Sequence, residues 1–302
     1  MKYTPGYIKL YETGELQRRA ERLWDILNDC VLCPHVCKVN RIKGEKGICR
    51  MGNELRVSSA FPHFGEEPPL VGYYGSGTIF FCGCNLHCIF CQNYDISHLE
   101  RGWNVTISDL SRMMMELQNR GCHNINFVTP THYVPHIIKA LTEAVEKGLN
   151  VPLVYNCGGY ESAATLKKLD GIIDIYMPDT KFASNSIAEV YTEASNYATV
   201  MKKALKEMYR QVGDLVIDER GIALKGLLAR HLVMPEGVAG TGEIIKYIAS
   251  NISRNTYLNV MEQYRPCYKA MYNNRINRRI TASEFREAVE LAQSEGITRG
   301  LE

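Results

Sequence analysis

Apolar residues along this chain follow two rhythms. Near the start, ELQRRAERLWDILNDC sets Leu16, Ala20, Leu23 and Leu27 three or four positions apart with charge between them, which predicts an amphipathic helix. From residue 78 onward, short apolar runs alternate with helical patterns. The runs are TIFF (78–81), INFV (125–128), PLVY (152–155), IIDIYM (172–177), RHLVM (230–234) and YLNVM (257–261). Between them, SDLSRMMMELQNRG predicts a helix capped by Ser108 and stopped at Gly121, and VPHIIKALTEAVEKG one that stops at Gly148. Residues 186–212 and 242–250 supply two more. In the tail, ITASEFREAVELAQSEG has capping-box spacing from Thr281 to Glu284 and a stop at Gly296. Residues 57–77, with PHFGEEPPL and YYGSG, read as irregular connection.

Strands alternating with helices predict parallel βα units. Six such strands suit an α/β fold, a partial (β/α)6 TIM-like barrel with a cysteine-rich N-terminal extension and a C-terminal helix. The expected organisation is a helix and cysteine-rich extension over 1–75, the barrel core over 76–265 and a helical tail over 266–302.

Hydrophobic residues make up 45% of the 302 positions and charged residues 23%, the balance of a soluble globular protein. A net charge of +2 argues against a dedicated nucleic-acid binder or a polybasic membrane binder. No apolar run approaches the ~20 residues of a membrane span, and MKYTPGYIKLYETGEL has no signal-peptide core. The expected location is the cytoplasm. The eleven cysteines change the picture most. Thiols stay reduced in that compartment, so clustered cysteines read as metal ligands or catalytic groups before disulfides.

Two clusters stand out. In GTIFFCGCNLHCIFCQNYDIS, the first strand of the βα series runs into Cys84-x3-Cys88-x2-Cys91. Loops after the strands of a βα barrel form the face where chemistry collects. Three thiolates within eight residues suit one corner of a [4Fe–4S] cluster and leave one iron open to a small molecule. The competing reading is a structural zinc site, closed by Cys82 in a C-x-C-x3-C-x2-C set. Cys82 lies at the strand end and is expected to point away from the loop. Upstream, Cys30-x2-Cys33-x3-Cys37-x11-Cys49 offers four ligands, with His35 inside the group as a substitute. Zinc, a second, fully ligated cluster and free thiols are all compatible with that spacing.

CNLHCIFC resembles the CxxxCxφC signature of radical S-adenosylmethionine (SAM) enzymes, with Phe90 as the aromatic φ. CQN, NINFVTPTHYVP, PLVYNCGGYE, DIYMPDTKF, EMYRQVG, GLLARHLVMP and NVMEQYRP extend the likeness to the PflX-type branch, homologues of the pyruvate formate-lyase activating enzyme. The resemblance implies a [4Fe–4S] cluster on Cys84, Cys88 and Cys91. SAM chelates its open iron and is cleaved by one electron to methionine and a 5′-deoxyadenosyl radical, which abstracts hydrogen from a substrate. Asp179 and Lys181 in PDTK resemble a DxK that contacts ribose and the methionine carboxylate. The plainer reading of the pair is an ion pair on a loop.

Arg230 and His231 resemble the basic position near that carboxylate, against the plainer reading of His231 as a core histidine. Asn156, after PLVY, is placed to bond the ribose. Thr129 and Thr131 stand where activating enzymes carry Gly-Gly-Glu-Pro. This chain lacks that glutamate, which leaves backbone carbonyls beside Pro130, or the threonine hydroxyls, for the SAM ammonium. The implied partners are a one-electron donor such as flavodoxin or ferredoxin and a substrate. That substrate is a glycine in a partner protein, another peptide or a small molecule. Cys157 and Cys267 are either hydrogen donors to a substrate radical or ordinary buried thiols. NNRINRR (273–279) is a solvated segment or a contact for an acidic partner. The competing functional class is an iron–sulfur electron carrier or metal-stabilised binding module without SAM chemistry.

Overall fold

Nine strands build one mixed sheet in the computed structural model, which describes residues 3–301. They are β1 (Leu55–His63), β2 (Ser76–Phe81), β3 (Trp103–Val105), β4 (Ile125–Val128), β5 (Leu153–Cys157), β6 (Ile175–Pro178), β7 (Val216–Ile217), β8 (Ala223–Leu232) and β9 (Tyr257–Met261). Six of them, β2, β4, β5, β6, β8 and β9, pair in parallel in that order. All six correspond to the apolar runs of the sequence. β4, β5 and β6 are buried at every position, as parallel strands covered on both faces must be. The architecture is an α/β partial barrel.

The helices between strands form for local reasons. Helix Ile107–Asn119 is capped by Thr106, not Ser108. Thr106 Oγ1 accepts from the Asp109 amide at 3.0 Å, and Asp109 Oδ2 accepts from the Thr106 amide at 2.9 Å. This reciprocal box satisfies two orphan donors and starts the helix before the serine. Gly121, Gly148 and Gly296 follow their helix ends at φ of +88°, +94° and +83°, the conformation glycine adopts without strain. The Thr281–Glu284 box caps helix Ala282–Ser294. The 186–212 pattern splits into Asn185–Thr192 and Tyr197–Val212 after a left-handed Glu193.

Residues 57–77 are not an irregular connection. β1 pairs antiparallel with β2 through Ala60↔Ile79 and Pro62↔Gly77, and Pro68–Val71 forms one helical turn. β3 pairs only with Leu55–Val57, so Pro62 sits where one side of β1 is unpaired and its missing N–H costs little. The Pro and the half-buried alternation hid this strand from an apolar-run reading. The turn after it enters the barrel. Leu70, fully buried, packs among Val154, Ile175, Met177, Leu228 and Tyr257 of four parallel strands. Asn259 of β9 donates to Glu67 Oε1 at 2.9 Å. The segment therefore spans the gap between β2 and β9, which do not pair with each other. Tyr7, Leu16 and Leu23 at one end of the chain and Ala288 and Ile297 at the other share one core with Ile79, Phe127 and Tyr155.

Candidate cluster and SAM site

Beyond Phe81 the chain leaves β2 and turns at Gly83, at φ +79°, where a Cβ would come within 2.8 Å of the Cys49 carbonyl oxygen. The loop that follows is held by hydrogen bonds to three separate segments. Asn85 Nδ2 donates to the Tyr160 carbonyl at 2.6 Å. The His87 and Ile89 amides donate to Thr192 and Tyr191, each at 3.0 Å, and the Ala270 amide donates back to Ile89 at 2.8 Å.

This places Cys84, Cys88 and Cys91 on one cavity of about 140 Å³ with Thr129, Asn156, Cys157, Asp179, Lys181 and Arg230. Cys88, Cys91, Asn156, Asp179, Lys181 and Arg230 also line a larger lobe of about 370 Å³. The Leu86 amide donates to Cys84 Sγ at 3.3 Å, and Cys91 Sγ lies 3.2 Å from Ser97 Oγ. Burial pushes the Cys84 thiol up to about 12 and raises Cys88 and Cys91 as well. Such thiols ionise only beside a strong positive charge, which bound metal supplies. Among the described residues, no group of three or more His, Cys, Asp or Glu is arranged to hold a single metal ion. A zinc ion draws its sulfurs to ~2.3 Å, whereas an iron–sulfur cluster spreads its thiolates over several irons. Three thiols around a shared cavity fit the second group.

Charge on the rest of the cavity lining is tightly organised. Asp179 Oδ2 accepts from Lys181 Nζ at 2.5 Å, and Oδ1 from Arg230 Nε at 2.8 Å. Arg230 Nη2 donates to Asn156 Oδ1 at 2.7 Å. Strand register makes this possible, because Asn156 is the penultimate residue of β5, Asp179 follows β6, and Arg230 on β8 bridges to Asp179. Burial opposes ionisation of Asp179, but Arg230 and Lys181 outweigh it and hold the carboxyl below its usual range. Burial likewise works against the charge on Lys181, and Asp179 more than restores it. Lys181 and Arg230 thus flank Asp179, and Glu66 and Glu67 each lie a further 3.7 Å from Arg230.

Phe90 lines the larger lobe, its ring edge-on to Phe182 at 5.8 Å. Thr129 lines the smaller lobe at φ +58°, a left-handed conformation that a β-branched residue rarely adopts. His231 corrects the sequence expectation. It is fully buried, with Nδ1 2.6 Å from the Thr180 carbonyl and Nε2 2.9 Å from Thr241 Oγ1, and lines neither lobe. Neighbouring strand residues face opposite ways, so placing Arg230 in the cavity takes His231 out of it. Burial pushes its imidazole down to about 4. Cys82 packs on Gly102 and donates to the Arg101 carbonyl at 3.4 Å, outside both lobes, as does not Cys157, which lines the smaller one. Cys267 lines neither.

The upstream thiols sit near one another. Burial raises the thiols of Cys33 and Cys49, and neighbouring cysteines add to it, Cys49 and Cys37 for the first and Cys30 and Cys37 for the second. His35 is turned away from them, its Nε2 2.8 Å from the Asn85 carbonyl of the cysteine loop. Arg41, fully buried, ties the same segment to the barrel by donating to the Gly52 and His132 carbonyls.

Two sets of residues went unread in the sequence. His63, Glu66 and Gln263 line the larger lobe, and Glu66 and Glu67 each lie 3.7 Å from Arg230. The adjacent carboxylates of EEPP were the visible signal. Glu161 of NCGGYE accepts from Thr131 Oγ1 at 2.6 Å and the Tyr155 hydroxyl at 3.0 Å. Burial pushes its carboxyl up to about 7. Thr131 is thereby engaged away from the cavity.

A family model described as the radical SAM superfamily matches residues 78–214. The uncharacterized protein MJ0674 of Methanocaldococcus jannaschii is 35% identical over 287 residues, covering 92% of this chain and 78% of the relative. Among solved structures, the crystal structure of HydG, a maturase of the [FeFe]-hydrogenase, aligns with a TM-score of 0.47 at 14% identity. That alignment covers 70% of this chain and 47% of HydG, so the chain spans about half the length of that structure.

Proposed function

We propose that this chain, whose residues 78–214 match the radical SAM superfamily model and which belongs to one family with the M. jannaschii protein, is a radical SAM enzyme of activating-enzyme type. The observation that carries the proposal is the shared cavity, lined by Cys84, Cys88 and Cys91 together with Asp179, Lys181 and Arg230. The three thiols hold a [4Fe–4S] cluster, and the rest of the lining holds SAM. When bound, these groups supply a 5′-deoxyadenosyl radical that abstracts hydrogen from the substrate.

This chain's own side chains position SAM. Lys181, whose ion pair is with Asp179, and Arg230, which Glu66 and Glu67 also approach, take the methionine carboxylate. Asn156 and Asp179 offer acceptors to the ribose, and Phe90 offers an apolar face. With Thr131 bonded to Glu161, the ammonium is assigned to the strained backbone at Thr129. The substrate is a glycine in a partner protein, another peptide or a small molecule held in the larger lobe. The electron comes from a carrier such as flavodoxin or ferredoxin. Cys30, Cys33, Cys37 and Cys49 are assigned a second metal, zinc or an iron–sulfur cluster. A plain electron carrier has no use for the buried Asp179–Lys181–Arg230 cluster, which is costly unless a ligand needs it.

Anaerobic reconstitution with iron and sulfide, then SAM and dithionite, should yield 5′-deoxyadenosine. Single alanine variants of Cys84, Cys88 or Cys91 should abolish it, and Cys82→Ala should retain most of it. No 5′-deoxyadenosine from iron-replete protein would reject the reading.

A further inference from the structure

The roof over the cysteine loop is a basic, partly apolar surface. From 263 to 281 the chain carries five basic residues and no acidic one, in a protein of net charge +2. Arg275 pairs with Glu236 at 3.3 Å and Arg278 with Glu284 at 2.8 Å. Arg265, Lys269 and Arg279 are exposed and have no carboxylate partner among the described residues. At the centre, Met271 and Tyr272 are 61% and 87% exposed. Large apolar side chains left in water beside unpaired cations mark contact surfaces rather than core.

The position of this surface says what it meets. Ala270 donates to the carbonyl of Ile89, which lies between Cys88 and Cys91. The Tyr268 ring stacks on Tyr94 at 5.3 Å and lies 4.7 Å from His98. The segment that carries the exposed patch is thus fastened directly to the thiol loop and to Tyr94 and His98 beyond it. A protein seated there is brought to the cluster loop without entering the substrate lobe.

We infer that residues 265–279 form the docking surface for an acidic one-electron carrier protein. The inference rests on the radical SAM reading, which requires one electron per SAM cleaved. The carrier's reduced group loses one electron, the bound cluster gains it, and no bond forms or breaks in that transfer. Charge complementarity accelerates such encounters and leaves them short-lived.

Fluorescently labelled flavodoxin, an acidic carrier, tests the surface at low ionic strength by anisotropy. Arg265→Glu, Lys269→Glu and Arg279→Glu together should weaken its binding by about tenfold or more. The same variant should lose 5′-deoxyadenosine formation driven by reduced flavodoxin while keeping the dithionite-driven rate. Unchanged flavodoxin affinity overturns the inference, and so does an equal loss with both reductants. If the triple variant does not fold, the three single reversals are read in its place, each expected to weaken binding measurably. Wild-type protein that makes no 5′-deoxyadenosine with dithionite refutes the radical SAM reading instead, and the anisotropy arm still judges the surface alone.

Discussion

Asp179 holds two buried cations in place, and each cation is exposed to a different consequence when removed. Lys181→Ala or Arg230→Ala leaves Asp179 one partner, and Arg230→Ala also removes the cation 3.7 Å from Glu66 and Glu67. What is lost is charge offered to the SAM carboxylate. A charge-assisted hydrogen bond contributes about 1.5–3 kcal/mol, so SAM affinity should fall roughly tenfold to a hundredfold. Calorimetry should show that loss at unchanged iron content, and parent-like affinity in both variants would remove these residues from the carboxylate site. A second residue-scale effect concerns Asp174, away from the cavity. Its carboxylate accepts from the Tyr3 hydroxyl at 2.6 Å and the Leu153 amide at 2.9 Å. Burial, the largest influence, still raises it from 3.8 to about 6. The folded state therefore binds the proton more tightly, and the associated stability is present at low pH and lost as pH rises towards about 6. Urea midpoints of the wild type minus those of Asp174→Asn should fall across that window and level off above it. A difference that does not vary with pH would contradict the assignment.

At the scale of elements, the stretch from Cys30 to Cys49 holds one 3-10 turn, Arg41–Lys43, and no α-helix or strand. Its fixed points are Arg41, buried against Gly52 and His132, and His35 on the cysteine loop. If the four thiols bind metal, that binding energy is also folding energy. Cys33→Ala should then lower metal content and melting temperature together. Unchanged metal with unchanged melting would make these ordinary thiols. The turn between β1 and β2 is the other element with a double role, because it fills the barrel with Leu70 and carries Glu66 and Glu67 towards Arg230.

For the whole molecule, that turn makes the partial barrel one body rather than an open sheet. Leu70→Ala removes a fully buried side chain among four strands, at a cost of about 2–5 kcal/mol. Denaturant unfolding should show that loss as a single cooperative shift of midpoint, since the N-terminal helices, the strands and the C-terminal helix share one core. A separate early transition would mean that the turn and the barrel unfold independently.

How much was legible follows from which signals are local. Periodicity located all six parallel strands, because strands buried on both faces are written as apolar runs. Cysteine spacing located the thiol loop, because its three thiols lie within eight residues of one another. The capping box at Thr281 and the glycine stops were equally local. β1 was missed because its stability comes from pairing with β2 and not from its own apolar content. Glu66, Glu67 and Glu161 were missed because their partners, Arg230, Asn259, Thr131 and Tyr155, stand as many as 192 residues apart in sequence or in a neighbouring strand. Even the choice between Arg230 and His231 waited on the side of β8 that faces the cavity. The sequence by itself determined the fold class and where three cysteines gather after the first parallel strand, since both are patterns of short range. Only the tertiary structure decided which charges face one another across the cavity and what closes the barrel, since pairing across strands depends on register and burial that no local spacing records.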